Sequence, residues 1–482
     1  MIQSLTGLLT SMAARPNRTL WLMAVVLSVL QGYLFTVGYR LTADDVMSLK
    51  HGMDGWPEVW ASMQRAATDQ GRIGGYVLMP LVIYGAYFAD SFAFRVLYVA
   101  LFFGVFLLIA FWLQILARRA VAALFFLLLV AFSVLDYQHL SPTSYPLQNT
   151  VPFLAVAGIR LALVHMRSRS PQPGISMGEA VLCMLFALAM LPTEYAFLLG
   201  TAMLGCEYAG ALVRGRAALS LTLRNRRFWL DVGSVLASLA IYLGWRLAHP
   251  SSYVGNMLAD ATALPKAGVT MAGHMFGLHL LPYTAFALDW PTVDDERLLL
   301  SVAVAALTGI AVYTGRSVLA SLPRPGWLAA LSLAAAAYVV LPPSLTIMQQ
   351  EWCSQSQYCV FLDSRTAFIG IVAMFVGLMA LVLRLPSNAR ATSRLAGVIA
   401  VLVGLGAGMV HHHNLRLAED MATKSAVWQR ARHLACDPAQ LLPVEAAARF
   451  VDRDQVVSMH GFVDRDDFWN DYLAHLRRTS CR

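Results

Sequence analysis

The chain has 482 residues, of which 58% are hydrophobic and 13% charged, against roughly a quarter charged in an ordinary soluble domain. That balance excludes a water-soluble enzyme. The formal charge is +8, but the Lys and Arg residues sit in short clusters between long apolar runs, which marks membrane topology and not a nucleic-acid-binding face.

Arg15 and Arg18 precede the apolar stretch 20–37, and no small-residue cleavage site follows, so this stretch reads as a retained first span. Further spans are predicted at about 92–116, 120–135, 150–166, 177–193, 195–213, 228–248, 298–314, 327–343, 367–383 and 395–410, which makes eleven. Between the first two lies 74–88, apolar but short and interrupted by Pro80 and Gly85. Counted as a span, it would turn Arg118, Arg119, Arg167, Arg169 and the arginines of 214–227 and 384–394 outward. Read as a re-entrant or interfacial helix, it leaves them all in the cytoplasm, as the positive-inside rule favours.

The expected fold is therefore an all-α polytopic membrane protein. A transmembrane domain, 1–410, includes an outer loop 38–91, and a small soluble domain, 411–482, follows on the outer side. Cys353, Cys359, Cys436 and Cys481 then lie outside, an even set compatible with two disulfides in an oxidising compartment such as a periplasm. Cys183 and Cys206 lie within spans.

In this topology most carboxylates face outward while the cytoplasmic loops are short and basic, so any chemistry belongs to the outer face. Asp44 and Asp45 follow closely on the first span. Trp56, Val59, Trp60, Met63 and Ala67 then recur at helical spacing, with Pro57 suited to a first turn and Gly71 to a C-cap. This predicts an amphipathic helix lying on the membrane, its indoles at headgroup depth. Gln70-Gly71-Arg72 ends that helix and holds Arg72 where a guanidinium can pair with a lipid phosphate. The plain structural alternatives are a helix cap for the aspartates and a snorkelling arginine.

The first span, the acidic pair Asp44-Asp45, the surface helix leading to Gln70-Gly71-Arg72, and a many-span body with a soluble outer tail together resemble the GT-C superfamily. These are membrane glycosyltransferases that use polyprenyl-phosphate-linked sugars, and the likeness is nearest to bacterial enzymes that add sugars to O-antigen or other envelope glycans. It implies an inverting transfer of a hexosyl or pentosyl group at the periplasmic face of the inner membrane. Asp44 or Asp45 would deprotonate the acceptor hydroxyl. Arg72, with Lys50, His51 and Arg65 as weaker candidates, would meet the charge on the departing phosphate. One aspartate could instead orient the sugar or hold a divalent cation, Mg2+ or Mn2+; no other cofactor is implied. The chain carries neither a Trp-Trp-Asp-type nor a Pro-Pro-Leu-type motif, which disfavours a protein acceptor. The rival readings are a lipid-linked glycan flippase or transporter, and a glycan polymerase. No internal repeat of the transporter kind is evident.

Other outer elements are candidates to complete the site. Tyr137 and His139 lie in a polar, aromatic loop, and Glu194 lies in a tight turn between spans, where a lone carboxylate is costly unless paired or wet. The long loop 249–297 has an apolar middle, 271–281, expected to lie in the membrane and gate entry of a lipid-linked donor. Its His274 and His279 are five apart, a poor spacing for a shared metal. His411-His412-His413-Asn414 is expected to form an interfacial polar collar, because adjacent histidines point apart on a helix. Arg160 and Glu207 fall within spans and are expected to pair across the bundle. In the tail, helices over 415–434 and 466–478 flank a strand-like 456–459, with Cys436 and Cys481 as a staple.

Overall fold

The computed structural model describes residues 16–39, 41, 43–117, 120–135, 146–169, 174–213, 216–251, 258–276, 297–355, 362–386, 388–436 and 465–480. These form nineteen α-helices and, among the described residues, no strand beyond one bridge between Leu258 and Thr346. In chain order the helices are α1 (Pro16–Leu34), α2 (Ala43–Asp54), α3 (Trp56–Thr68), α4 (Gly75–Tyr87), α5 (Phe92–Ala117), α6 (Ala122–Ala131) and α7 (Pro146–Arg169). Next come α8 (Met177–Ala189), α9 (Glu194–Val213), α10 (Arg216–Leu223), α11 (Arg226–Ala248), α12 (Leu264–Phe276) and α13 (Arg297–Thr314). The last are α14 (Arg316–Ala320), α15 (Pro325–Ser344), α16 (Ile347–Gln355), α17 (Leu362–Val382), α18 (Ala389–Cys436) and α19 (Arg465–Ser480).

Each of the eleven predicted spans falls on a helix. Six helices, α5, α7, α11, α13, α15 and α18, are long and apolar enough to cross a membrane. Shorter apolar helices stand where 120–135, 177–193 and 367–383 were placed: α6, α8 and, over Thr366–Val382, α17. All ten residues of α6 are buried, as expected of a helix that is apolar all round; it packs among α1, α5, α13 and α17. The outside of the bundle is apolar too. On α18, Val398, Val401, Leu402 and Leu405 form an exposed stripe at helical spacing, the face a lipid chain would cover.

The short segment after the first outer loop is α4, whose 13 residues span about 20 Å, less than a hydrocarbon core of about 30 Å. It packs with α2 and α3 into a small three-helix group. α3 follows the predicted stripe. Gly55, at φ 86°, and Pro57 start it, and Val59, Met63 and Ala67 are buried, while Trp56 and Trp60 form its exposed edge.

The tail differs from expectation. The last span and the first tail helix are one unbroken helix, α18, of 48 residues, about 72 Å long. No proline falls within 389–436, so the helix runs on across residue 411, where a domain boundary was expected, despite the glycines at 404, 406 and 408. The histidine run lies inside it, with His411, His412 and Asn414 buried and His413 half-buried. His411 Nδ1 meets Gln31 Oε1 at 3.2 Å, His413 Nε2 meets the Leu135 carbonyl at 3.3 Å, and Asn414 donates to the Ser133 carbonyl at 2.8 Å. The run thus ties α18 to α1 and to the chain after α6. α19 matches the predicted 466–478 helix; the strand-like 456–459 lies outside the described residues. Cys436 is disulfide-bonded.

The predicted Arg160–Glu207 pair forms, as part of a larger buried cluster. Arg160, fully buried, donates to Glu207 and, at 3.0 Å, to Asp231. Arg167 reaches Asp231 at 2.6 Å and Glu179 at 3.4 Å, and Arg227 reaches Glu179 at 2.9 Å. Tyr208 donates to Asp231 at 2.7 Å and Trp112 to Glu207 at 2.8 Å. Three arginines face three carboxylates, which closes the charge balance and joins α5, α7, α8, α9 and α11. α8 is aimed into the cluster by a capping box, in which Ser176 accepts from the Glu179 amide at 3.2 Å and Glu179 accepts from the Ser176 amide at 3.1 Å.

Candidate functional site

The other end of the α8–α9–α11 group meets the first outer loop, and here two of the predicted site residues come together. α3 closes with the Asp69 amide on the Arg65 carbonyl at 2.9 Å, and the chain then turns through Gly71 at φ 61°. A side chain at Gly71 would sit 2.5 Å from the His249 carbonyl, and one at Gly74 would run into the Pro192 carbonyl. Only glycine suits the first position, for its left-handed backbone, and the second, for the close approach. The 71–74 loop is thus wedged between the C-terminal end of α11 and the turn before α9. Gly74→Val is expected to cost about 1–3 kcal/mol through overpacking; an unchanged midpoint in thermal unfolding of the purified protein in detergent would show that the wedge is absent.

Seated there, Arg72 Nε lies 3.6 Å from Glu194 Oε1. Tyr242 donates to the same Glu194 oxygen at 2.9 Å, and Arg246, one turn further along α11, donates to the Tyr242 hydroxyl at 3.1 Å. The result is two guanidinium groups held about one carboxylate and one phenol. Both partners of the Arg72–Glu194 pair keep about a third of their side chains exposed, so the pair is not sealed inside the fold. Aromatic rings line its flank. Tyr76 lies 6.0 Å from Trp60 and 6.3 Å from Trp245 between ring centres, and Trp245 donates to the Ala67 carbonyl at 2.8 Å. Cations beside flat apolar faces suit a phosphate attached to a sugar or a lipid.

The remaining predicted residues are placed elsewhere. Lys50 pairs with Asp471 of α19 at 3.6 Å, a partly exposed contact that pins the tail to α2. Arg65 is bound to Glu58 and, at 2.9 Å, to Ser62, while His51 Nδ1 approaches Glu58 at 3.2 Å. The bond from Arg65 holds the Glu58 carboxyl below the usual range. Burial, opposed by Glu58, holds the His51 imidazole below its usual value, which disfavours its charged form.

Asp44 and Asp45 lie in the first turn of α2, with Asp45 2% exposed. α2 meets the later half of α4, where Gly52 lies against Ile83 and Tyr87, whereas Arg72 precedes the first turn of α4. Among the described contacts, Arg72 pairs with Glu194. Tyr137 and His139 lie outside the described residues, as does His279. His274 is buried in α12, which packs on α15 and α17, so 271–276 of the predicted gating segment is helix, while 277–281 lies outside the described residues.

Two residues of the cluster were not foreseen, Tyr242 and Arg246. The available signal is their spacing of four on a span end, which puts a hydroxyl and a cation on one helix face. Among the described residues no three His, Cys, Asp or Glu side chains converge as a metal site. No family model matches the chain, and neither a curated protein nor a solved structure shows a significant match to it.

Proposed function

We propose that the chain is an inverting membrane glycosyltransferase of the GT-C kind, moving a sugar from a polyprenyl-phosphate donor to an envelope glycan such as O-antigen. The observation that carries the reading is the pair of guanidiniums, Arg72 and Arg246, held at the rim of an apolar bundle beside Trp245 and Tyr76. A departing polyprenyl phosphate gains negative charge, and preorganised cations at lipid-head height stabilise it. A direct displacement needs one carboxylate base within hydrogen-bond reach of the acceptor hydroxyl. Glu194 stands in range of Arg72 already; Asp44 and Asp45 on α2 are the other candidates, and one of the three would be free to hold Mg2+ or Mn2+ instead.

The eleven-span topology and an inner-membrane setting with this site facing the periplasm belong to the same proposal. Two observations support that orientation. The disulfide at Cys436 suits an oxidising compartment, and the tail it staples docks on α2 through Lys50 and Asp471. Arg167, Arg227, Arg324 and Arg384 stand at the opposite ends of their helices, where the positive-inside rule puts a cytoplasm.

A flippase reading gains from the charges buried within the bundle, but those six groups pair among themselves and leave no charge for cargo. The test is to assay Asp44→Asn, Asp45→Asn and Glu194→Gln separately in membranes supplied with polyprenyl-phosphate sugars. One of them should lose transfer by about a hundredfold or more, the scale of general-base catalysis, with donor binding retained. Full transfer by all three would end the proposal that these carboxylates do the chemistry.

A further inference from the structure

A cavity of about 290 Å³ opens between α5, α9, α15 and α17, beginning on α9 five residues beyond Glu194. Its walls are almost wholly carbon, with Leu116, Met203, Leu331 and Ala335 among them. It runs from Arg324 to Val339 along α15, fifteen residues, or about 22 Å at the helical rise. That exceeds half of a hydrocarbon core about 30 Å thick, so the groove can take the whole depth of an acyl chain from one leaflet.

The mouth has the opposite chemistry. Arg324 caps the N-terminus of α15 with an exposed side chain, and it lines an adjoining open recess with Gly326, Trp327 and Ala330. Nothing lies within 4 Å of where a Gly326 side chain would be, which leaves room for a headgroup at the positive end of the helix. Trp327 is 49% exposed, an indole at the height where such rings anchor. The neighbouring cations are turned away. Arg316 donates to the Tyr313 carbonyl at 2.8 Å and covers the Tyr313 ring, and Arg384 donates to the carbonyls of Ala320 and Leu322.

We propose that this groove is a lipid site, holding one acyl chain of an anionic membrane phospholipid whose phosphate rests on Arg324. The occupant follows from charge and position. The exposed Arg324 at the mouth complements one phosphate, and the groove uses the last third of α5, whereas Arg95 near the start of α5 donates to the carbonyls of Thr36, Ala89 and Asp90 beside α4. Glu194, which holds Arg72, opens α9, while the groove is lined by α9 residues from Leu199 to Cys206, so a phosphate on Arg324 and one on Arg72 occupy different positions and the two sites can fail separately.

The test incubates the full-length protein, purified in detergent, with phosphatidylglycerol, phosphatidylethanolamine or polyprenyl phosphate, and counts retained lipid by native mass spectrometry. Phosphatidylglycerol should be retained best. Arg324→Gln, at an exposed position, should lower its retention about fivefold, the weight of one arginine beside an anionic headgroup. Ala335→Phe, which fills the half-buried groove wall, should abolish retention while the unfolding midpoint stays unchanged. Equal retention by wild type and Arg324→Gln, retention that survives Ala335→Phe, or preference for polyprenyl phosphate would each overturn the proposal.

Discussion

Asp231→Ala is expected to lower stability by about 3–5 kcal/mol, the cost of removing one partner from a buried ion cluster. Asp231 is fully buried and receives Arg160 at 3.0 Å, Arg167 at 2.6 Å and Tyr208 at 2.7 Å. Its loss leaves three guanidiniums facing two carboxylates inside the bundle, with Arg160 still on Glu207 and Arg167 on Glu179. Two routes give a similar size: the mutational cost of a broken buried pair, and the insertion cost of about 2.5–3.5 kcal/mol for one unmatched charge at a helix centre. An exposed pair such as Lys50 with Asp471 offers the contrast, since Lys50→Ala should cost no more than about 1 kcal/mol. Thermal unfolding of the two variants in the same detergent measures the difference. If Asp231→Ala melts with Lys50→Ala, the cluster is not what joins α7, α8, α9 and α11.

Arg72→Ala should reduce sugar transfer by about a hundredfold to a thousandfold, the usual loss when one preorganised donor to a developing oxyanion is removed. The loss should fall mainly on kcat, because charge on the phosphate bridge grows in the transition state and ground-state binding retains Arg246. Arg72→Lys keeps the charge but not the planar fork, so it should fall between the two. Tyr242→Phe removes the hydroxyl that links Glu194 to Arg246 and should weaken both arginine positions together. Equal activity of Arg72→Ala and the unmodified chain would take Arg72 out of the reaction.

How far these arrangements can be read from sequence depends on how local their cause is. Helices were legible because long apolar runs are a property of consecutive residues; each predicted span falls on a helix, and among the described residues six of those helices are long and apolar enough to cross a membrane. Arg160 and Glu207 were legible as a pair because two opposite charges inside apolar runs have few alternatives to each other. Asp231 and Arg167 were not recognised as partners, since each sits near the end of its helix, where a charge is ordinarily solvated. The requirement that Glu194 be paired or wet is met by Arg72, yet the pairing depends on the packing of the 71–74 loop against Pro192 and His249. That contact links residues more than a hundred positions apart, and neither its existence nor its direction leaves a periodic trace. The expected meeting of Arg72 with the aspartates rests on their nearness in sequence alone.

The unbroken α18 places a length constraint on the chain. Trp428 and Ala435 sit in a buried cluster with Val46, Leu49 and Tyr472, while Val398 to Leu405 of the same helix face outward. Because a helix turns about 100° per residue, one residue inserted between those two regions would swing Trp428 off α2 and leave the lipid-facing side in place. Changes of seven residues, close to two full turns, would keep the angle within about 20°. Length variation in this stretch should therefore come in whole turns, with the tail acting as a phased extension of a membrane helix.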